Sequence, residues 1–105
     1  MNTNELDALL YERVMGALRE NEHIKLISDG AVVFNDNKYV CSVPSFHDNY
    51  TDALYILEMG IMKGCKPTFS MEEGLVTITE EGIMVKTLSM PMAICLYLKE
   101  YFKLC

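Results

Sequence analysis

Apolar positions along the chain change their period several times, and each change predicts an element. From Asn4 to about Arg19, Leu6, Leu10, Val14, Ala17 and Leu18 recur at three- and four-residue spacing with Glu12 opposite, which predicts an amphipathic helix. Thr3 or Asn4 serves as its N-cap, Glu5 and Asp7 set negative charge at the positive end of the helix dipole, and Asn21-Glu22 close it. The period then falls to two. Ile24–Ser28, Ala31–Phe34 and Lys38–Ser42 are rich in β-branched and aromatic residues and read as strands. Asp29-Gly30 has the composition of a type I′ hairpin turn, and Asn35-Asp36-Asn37 supplies the next reversal.

Pro44, Ser45, His47 and Asp48 interrupt this pattern and make 43–49 the longest loop. A second helix follows from Tyr50 to about Lys63, capped by Asp48 or Asn49 with Asp52 in its first turn and Gly64 at its end. Lys66–Met71, Leu75–Thr79 and Ile83–Leu88 again read as strands, separated by Glu72-Glu73-Gly74 and Glu80-Glu81-Gly82. A third helix starts at Ser89-Met90-Pro91, where proline's missing N–H costs nothing. Its buried stripe runs through Ile94, Cys95, Leu98, Tyr101, Phe102 and Cys105, with Lys99, Glu100 and Lys103 toward water. The order α-ββ(β)-α-ββ(β)-α predicts an α+β fold: a three-layer α/β/α sandwich with three helices on a mainly antiparallel sheet, in one domain spanning 1–105.

Composition narrows the function. The chain has 105 residues, half of them apolar, and a net charge of −6 with no basic run, which argues against nucleic acid as a partner. No apolar run is long enough to span a bilayer, so a cytoplasmic protein with no membrane partner is expected.

Three stretches, in order, resemble a known family. Glu5-Leu6-Asp7-Ala8-Leu9 leading to Arg13-Val14-Met15-Gly16 resembles the opening helix of the phage ABA-sandwich domain. Tyr50-Thr51-Asp52-Ala53 resembles the start of its second helix, and Pro91-Met92-Ala93-Ile94-Cys95-Leu96 its closing helix. The chain departs from that pattern in having no tryptophan and in lacking the serine that commonly follows the tyrosine at Tyr50. The resemblance implies a small α/β/α protein of phage or prophage origin, in a bacterial host cytoplasm, with no reaction attached to it.

Candidate chemistry is sparse. Cys41, Cys65, Cys95 and Cys105 are scattered without the close pairs of a zinc site, so neither a metal nor another cofactor is expected. His47, beside Asp48 and shortly before Asp52, has the company that acid–base work requires, but no nucleophile motif accompanies it, so no catalytic residue is assigned. Glu72, Glu73, Glu80 and Glu81 read as solvated turn charges, with an acidic strip facing a basic partner as the alternative.

The second helix is apolar on two sides, Tyr50, Ala53, Leu54, Leu57 and Ile61 on one and Tyr55, Met59 and Met62 on the other, which predicts a covered outer stripe. The candidate ligand- or partner-binding residues are therefore Phe46, His47, Tyr50, Tyr55, Met59 and Met62. The function these readings favour is non-enzymatic binding of a host protein or of a second copy as a homodimer. The alternatives are a small-molecule binder or sponge, its pocket formed by an oligomer interface or by the 43–50 loop, and a hydrolase-like enzyme using His47.

Overall fold

A computed structural model describes residues 1–104; Cys105, assigned above to the stripe of the last helix, lies outside the described residues. The chain folds as α1 (Thr3–Leu9) continuing into a π-helical turn (Leu10–Val14), then β1 (Glu22–Ile27), β2 (Gly30–Asn35) and β3 (Lys38–Ser42). There follow α2 (Tyr50–Met62), β4 (Thr68–Glu72), β5 (Leu75–Glu80), β6 (Ile83–Thr87) and α3 (Met90–Phe102). This is an α+β fold with three helices and antiparallel strands in the order α-βββ-α-βββ-α, matching a three-layer α/β/α sandwich. The strands divide into two three-stranded meanders, β1-β2-β3 and β4-β5-β6.

Local signals account for most boundaries. Asn49 caps α2 by accepting from the Asp52 N–H at 3.0 Å, and Gly64, at φ +113°, lies just beyond its end. Ser89 caps α3, and Pro91 sits in its first turn. Pro67 has no N–H to give a ladder, so β4 begins at Thr68 and not at Lys66.

Three boundaries differ from expectation. The first helix is capped by Asn2, whose side chain accepts from the Glu5 N–H at 2.8 Å. It ends at Val14, not Arg19: the Met15 N–H reaches back five residues to Leu10 O at 3.0 Å, and Gly16 takes φ +62°, which turns the chain away. Asn21-Glu22 is consequently not a helix end but the entry to β1. The first hairpin turns through Ser28-Asp29, because Ile27 pairs with Gly30 and Gly30 already belongs to β2. None of these three residues has positive φ, so the turn is not type I′. The turn that meets that requirement is Glu73-Gly74, at φ +53° and +78° between paired Glu72 and Leu75.

Each sheet has its own helical cover. α1 lies against β1 and β2, α3 lies against β5 and β6, and α2 packs on α3 and on the π turn while touching no strand among the described residues. Ala31 and Val33 of β2, and Val76, Ile78 and Val85 of the second sheet, alternate inward toward these helices. Leu10, Val14, Phe46, Ala53, Ile56, Ala93, Ile94, Cys95, Tyr97 and Leu98 fill the space between them and are essentially inaccessible to water. Tyr97 was not among the residues expected on the α3 stripe. It is buried because α3 lies between the second sheet and α2, so more than one side of it is covered.

Gly60 sets how closely α2 and α3 approach. A Cβ there would stand 2.7 Å from Leu98 Cδ2 and 3.3 Å from Cys65 Sγ, so glycine is what lets these helices meet.

Candidate functional site

Tertiary structure equips His47 with a buried partner. Its loop is carried from β3 to α2, with Val43 bonded through its N–H to Ala31 O at 2.8 Å and Phe46 buried in the core. That seating brings His47 to Asp7 of α1. The imidazole Nδ1 lies 2.6 Å from Asp7 Oδ2, and the His47 backbone N–H donates to Asp7 Oδ1 at 3.2 Å. On the far side of the ring, Nε2 stands 3.7 Å from Asp48 Oδ2.

Asp7 is the only buried charged residue described in the chain. Burial pushes its carboxyl above the ordinary aspartate value, and the hydrogen bonds and charge of His47 pull it back down without cancelling the effect. The sequence reading missed this partner, treating Asp7 as a first-turn dipole residue and pairing His47 with Asp48 and Asp52 instead. Asp48 is exposed, and the Asp52 N–H is engaged by the Asn49 cap. The signal was nonetheless present. At about 100° per residue, Asp7 falls roughly 20° from Val14 on the wheel, inside the apolar sector of its own helix.

A cleft of about 250 Å³ opens beside the pair, lined by Asp7, Asp29, Val32, Ser42, Val43 and Ser45 among others. None of Phe46, Tyr50 and Tyr55, the residues expected to form a pocket here, lines it. Phe46 is buried core at 1% exposure and presents nothing to a ligand.

The α2 candidates also separate. Its buried sector runs through Ala53, Ile56, Leu57 and Gly60, turned from the one read off the sequence, and it includes a glycine facing Leu98 that carries no apolar weight in a periodicity count. Met59 is half-buried against the core and does not belong to the outer stripe. Tyr50, Leu54, Tyr55, Ile61 and Met62 are exposed, with Met62 at 74%, and they surround the exposed Glu58 on the outward side of the helix.

A second polar cluster was not expected. The Tyr97 hydroxyl, brought to the sheet by α3, donates to Glu80 Oε1, which also accepts the Lys66 N–H at 3.0 Å. Glu80 is thus a half-buried acceptor engaged by Tyr97 and Lys66, more than a bare turn charge, whereas Glu72, Glu73 and Glu81 are exposed. Burial, followed by the bond to Glu80, drives the Tyr97 phenol far above the usual tyrosine range. Among the described residues, no group of His, Cys, Asp and Glu is arranged to hold a metal ion, and no helix is long and apolar enough to cross a membrane.

No protein-family model matches the chain, and no curated protein matches it in sequence. Among solved structures, it is similar to a phage protein from Bacillus cereus ATCC 14579 whose crystal structure was determined at 2.0 Å. The match has a TM-score of 0.57 at 15% identity and covers 92% of this chain and 88% of the other, a likeness of fold over nearly the whole of both molecules.

Proposed function

We propose that this chain is a phage or prophage accessory protein of the ABA-sandwich kind, working by binding a host protein or a second copy of itself in the bacterial cytoplasm, and not by catalysis. The observation that carries the reading is the outer face of α2, where Tyr50, Leu54, Tyr55, Ile61 and Met62 stand in water on one continuous side of a well-capped helix. A helix already anchored through its opposite side gains nothing in folding from such a face, and large apolar side chains exposed together around a charge such as Glu58 suit a contact site. The phage assignment is supported by the three ordered sequence segments together with the fold shared with the Bacillus cereus phage protein.

The His47 geometry supports a structural role for that residue. Both ring nitrogens face carboxylates, and the imidazole ties the 43–49 loop to α1. The cleft beside Asp7 favours small-molecule binding as a second reading, since it gathers Asp7, Asp29, Ser42 and Ser45 around one opening.

The test is affinity capture from host lysate with the wild-type chain and with Leu54→Glu/Ile61→Glu, analysing retained proteins and metabolites together. Capture of a stoichiometric protein by wild type and its loss in the variant, with the melting curve unchanged, is the expected result. Retention of a metabolite without a protein would replace this reading with the second one.

A further inference from the structure

We propose that two copies of this chain join their second sheets edge to edge, β4 against β4 across a two-fold axis at Ser70. The inference deepens the self-association branch of the proposed function, and it places the contact on a strand edge and not on α2.

Each meander has two outer edges, and three of these four carry the features that discourage pairing. β1 has Lys25 at its middle, β3 begins with Lys38 and is distorted where its register with β2 shifts at Val33/Phe34, and β6 contains Lys86. β4 has no lysine and no register shift, and its one charge, Glu72, stands at its last position. Its ladder with β5 is regular from Thr68↔Thr79 to Glu72↔Leu75, it contains neither lysine nor proline, and all five of its residues are exposed. No element besides β5 packs on it among the described residues.

The register decides which backbone groups are on offer. Glu72 and Leu75 flank the two-residue Glu73-Gly74 turn and so exchange hydrogen bonds with each other. By alternation Ser70 and Thr68 also bond to β5, which leaves the N–H and C=O groups of Phe69 and Met71 pointing outward. An antiparallel partner centred on Ser70 places Phe69 opposite Met71 of the second copy, and Met71 opposite its Phe69, so both outward-pointing residues form hydrogen-bonded pairs.

The side chains agree with this register. Phe69 and Met71 pair across the ladder with Ile78 and Val76, so they lie on the helix-covered face of the sheet, but α3 reaches only β5 and β6. Their apolar groups, at 39% and 67% exposure, are the uncovered margin of that face. In the dimer each phenyl ring meets a methionine sulfur, a favourable contact. Charge is complementary as well: Lys66, exposed before the strand, comes diagonal to Glu72 of the second copy and next to its Glu73 turn, and Glu72 meets Thr68 and not another acid. Because the arrangement is isologous, every one of these contacts occurs twice.

The experiment is sedimentation of wild type, Met71→Pro and Leu54→Glu/Ile61→Glu over a wide concentration range, with Ser70→Cys and Thr68→Cys oxidised in parallel. The Met71 N–H points outward, so proline there removes a donor from the edge while leaving the ladder to β5 intact. Wild type is expected to sediment at twice 12.0 kDa at high concentration, with Met71→Pro weakening the dimer by more than about tenfold while melting as wild type does at dilutions where both are monomeric. The α2 variant should dimerise as wild type does. Facing Ser70 positions form a non-hydrogen-bonded pair with Cα atoms about 4.5 Å apart, within disulfide reach, so Ser70→Cys gives a covalent dimer and Thr68→Cys does not. A wild type that is monomeric throughout overturns the proposal and leaves host-protein binding through α2 to its own test. A dimer retained in Met71→Pro but lost in the α2 variant overturns it in favour of self-association through α2.

Discussion

His47 is held to Asp7 by its ring and by its backbone at once, Nδ1 to Oδ2 at 2.6 Å and N–H to Oδ1 at 3.2 Å, across 40 positions of sequence. Both carboxylate oxygens are thus committed to a single residue, and the 43–49 loop is tied to the first helix. Removing either side chain takes from the other its closest polar contact. His47→Ala is expected to lose about 1–3 kcal/mol, the usual cost of depriving a buried acceptor of a partner, since the backbone N–H of residue 47 still reaches Asp7. Replacing both residues by apolar ones of similar volume should cost much less. Urea unfolding of the single and double variants checks this, and equal losses in all three would mean that loop packing, not the pair, is responsible.

Asp7 also carries a pH signature. Its folded value is raised above 3.8, chiefly by burial. The stability attached to this group is therefore fully present below 3.8 and is lost as pH rises through the folded value. The unfolding free energy of wild type minus that of Asp7→Asn should decline with pH across that window. Denaturant titrations at closely spaced acidic pH values would show it, and a difference that rises with pH would contradict the dominance of burial.

Gly60→Ala opposes two effects of known size. Alanine gains about 1 kcal/mol in helix propensity over glycine. Its Cβ, however, would come within 2.7 Å of Leu98 Cδ2, and overpacking of this kind costs typically 1–3 kcal/mol. We expect a net loss and a lower melting temperature, and a double variant with Leu98→Ala, which vacates the colliding atom, should lose less than the sum of the two single losses.

Tyr97→Phe removes a donor to Glu80 without changing the ring's fit against the helices. A hydrogen bond to a charged group is worth about 1.5–3 kcal/mol, and Glu80 keeps only the Lys66 N–H. Calorimetry should record a loss in that range. Ultraviolet titration should show one fewer phenol resisting ionisation until alkaline unfolding in Tyr97→Phe than in wild type.

The two methionines Met59 and Met62 lie three positions apart on α2 and should respond oppositely. Met62→Glu puts a charge on a side chain that is already in water, so its stability should change by no more than about 0.5 kcal/mol. Met59→Glu forces a carboxylate against the core and should destabilise strongly. Similar melting temperatures for the two variants would show that the helix is rotated from the orientation described.

What the sequence by itself determined is what a few neighbouring residues can decide. Asn49 and Ser89 end the extended segments before their helices because their side chains satisfy N–H groups three residues away. Glu73-Gly74 reverses the chain because the turn there needs left-handed backbone, which glycine adopts without strain. Alternation of Val76 and Ile78 placed an apolar face on β5. The class and the order of elements follow from such local signals, including the closing helix from Pro91. Tertiary structure alone decided which faces meet. The buried side of α2 includes a glycine whose contribution is the room it leaves for Leu98, and no hydrophobic count registers room. Glu80 is drawn inward by a tyrosine of α3, and Asp7 is satisfied by a histidine of a distant loop. In each case the deciding partner lies far along the chain, and local pattern carries no information about which distant segments pack together, because many pairings would satisfy the same periodicity and only burial and polar satisfaction in the folded chain select one.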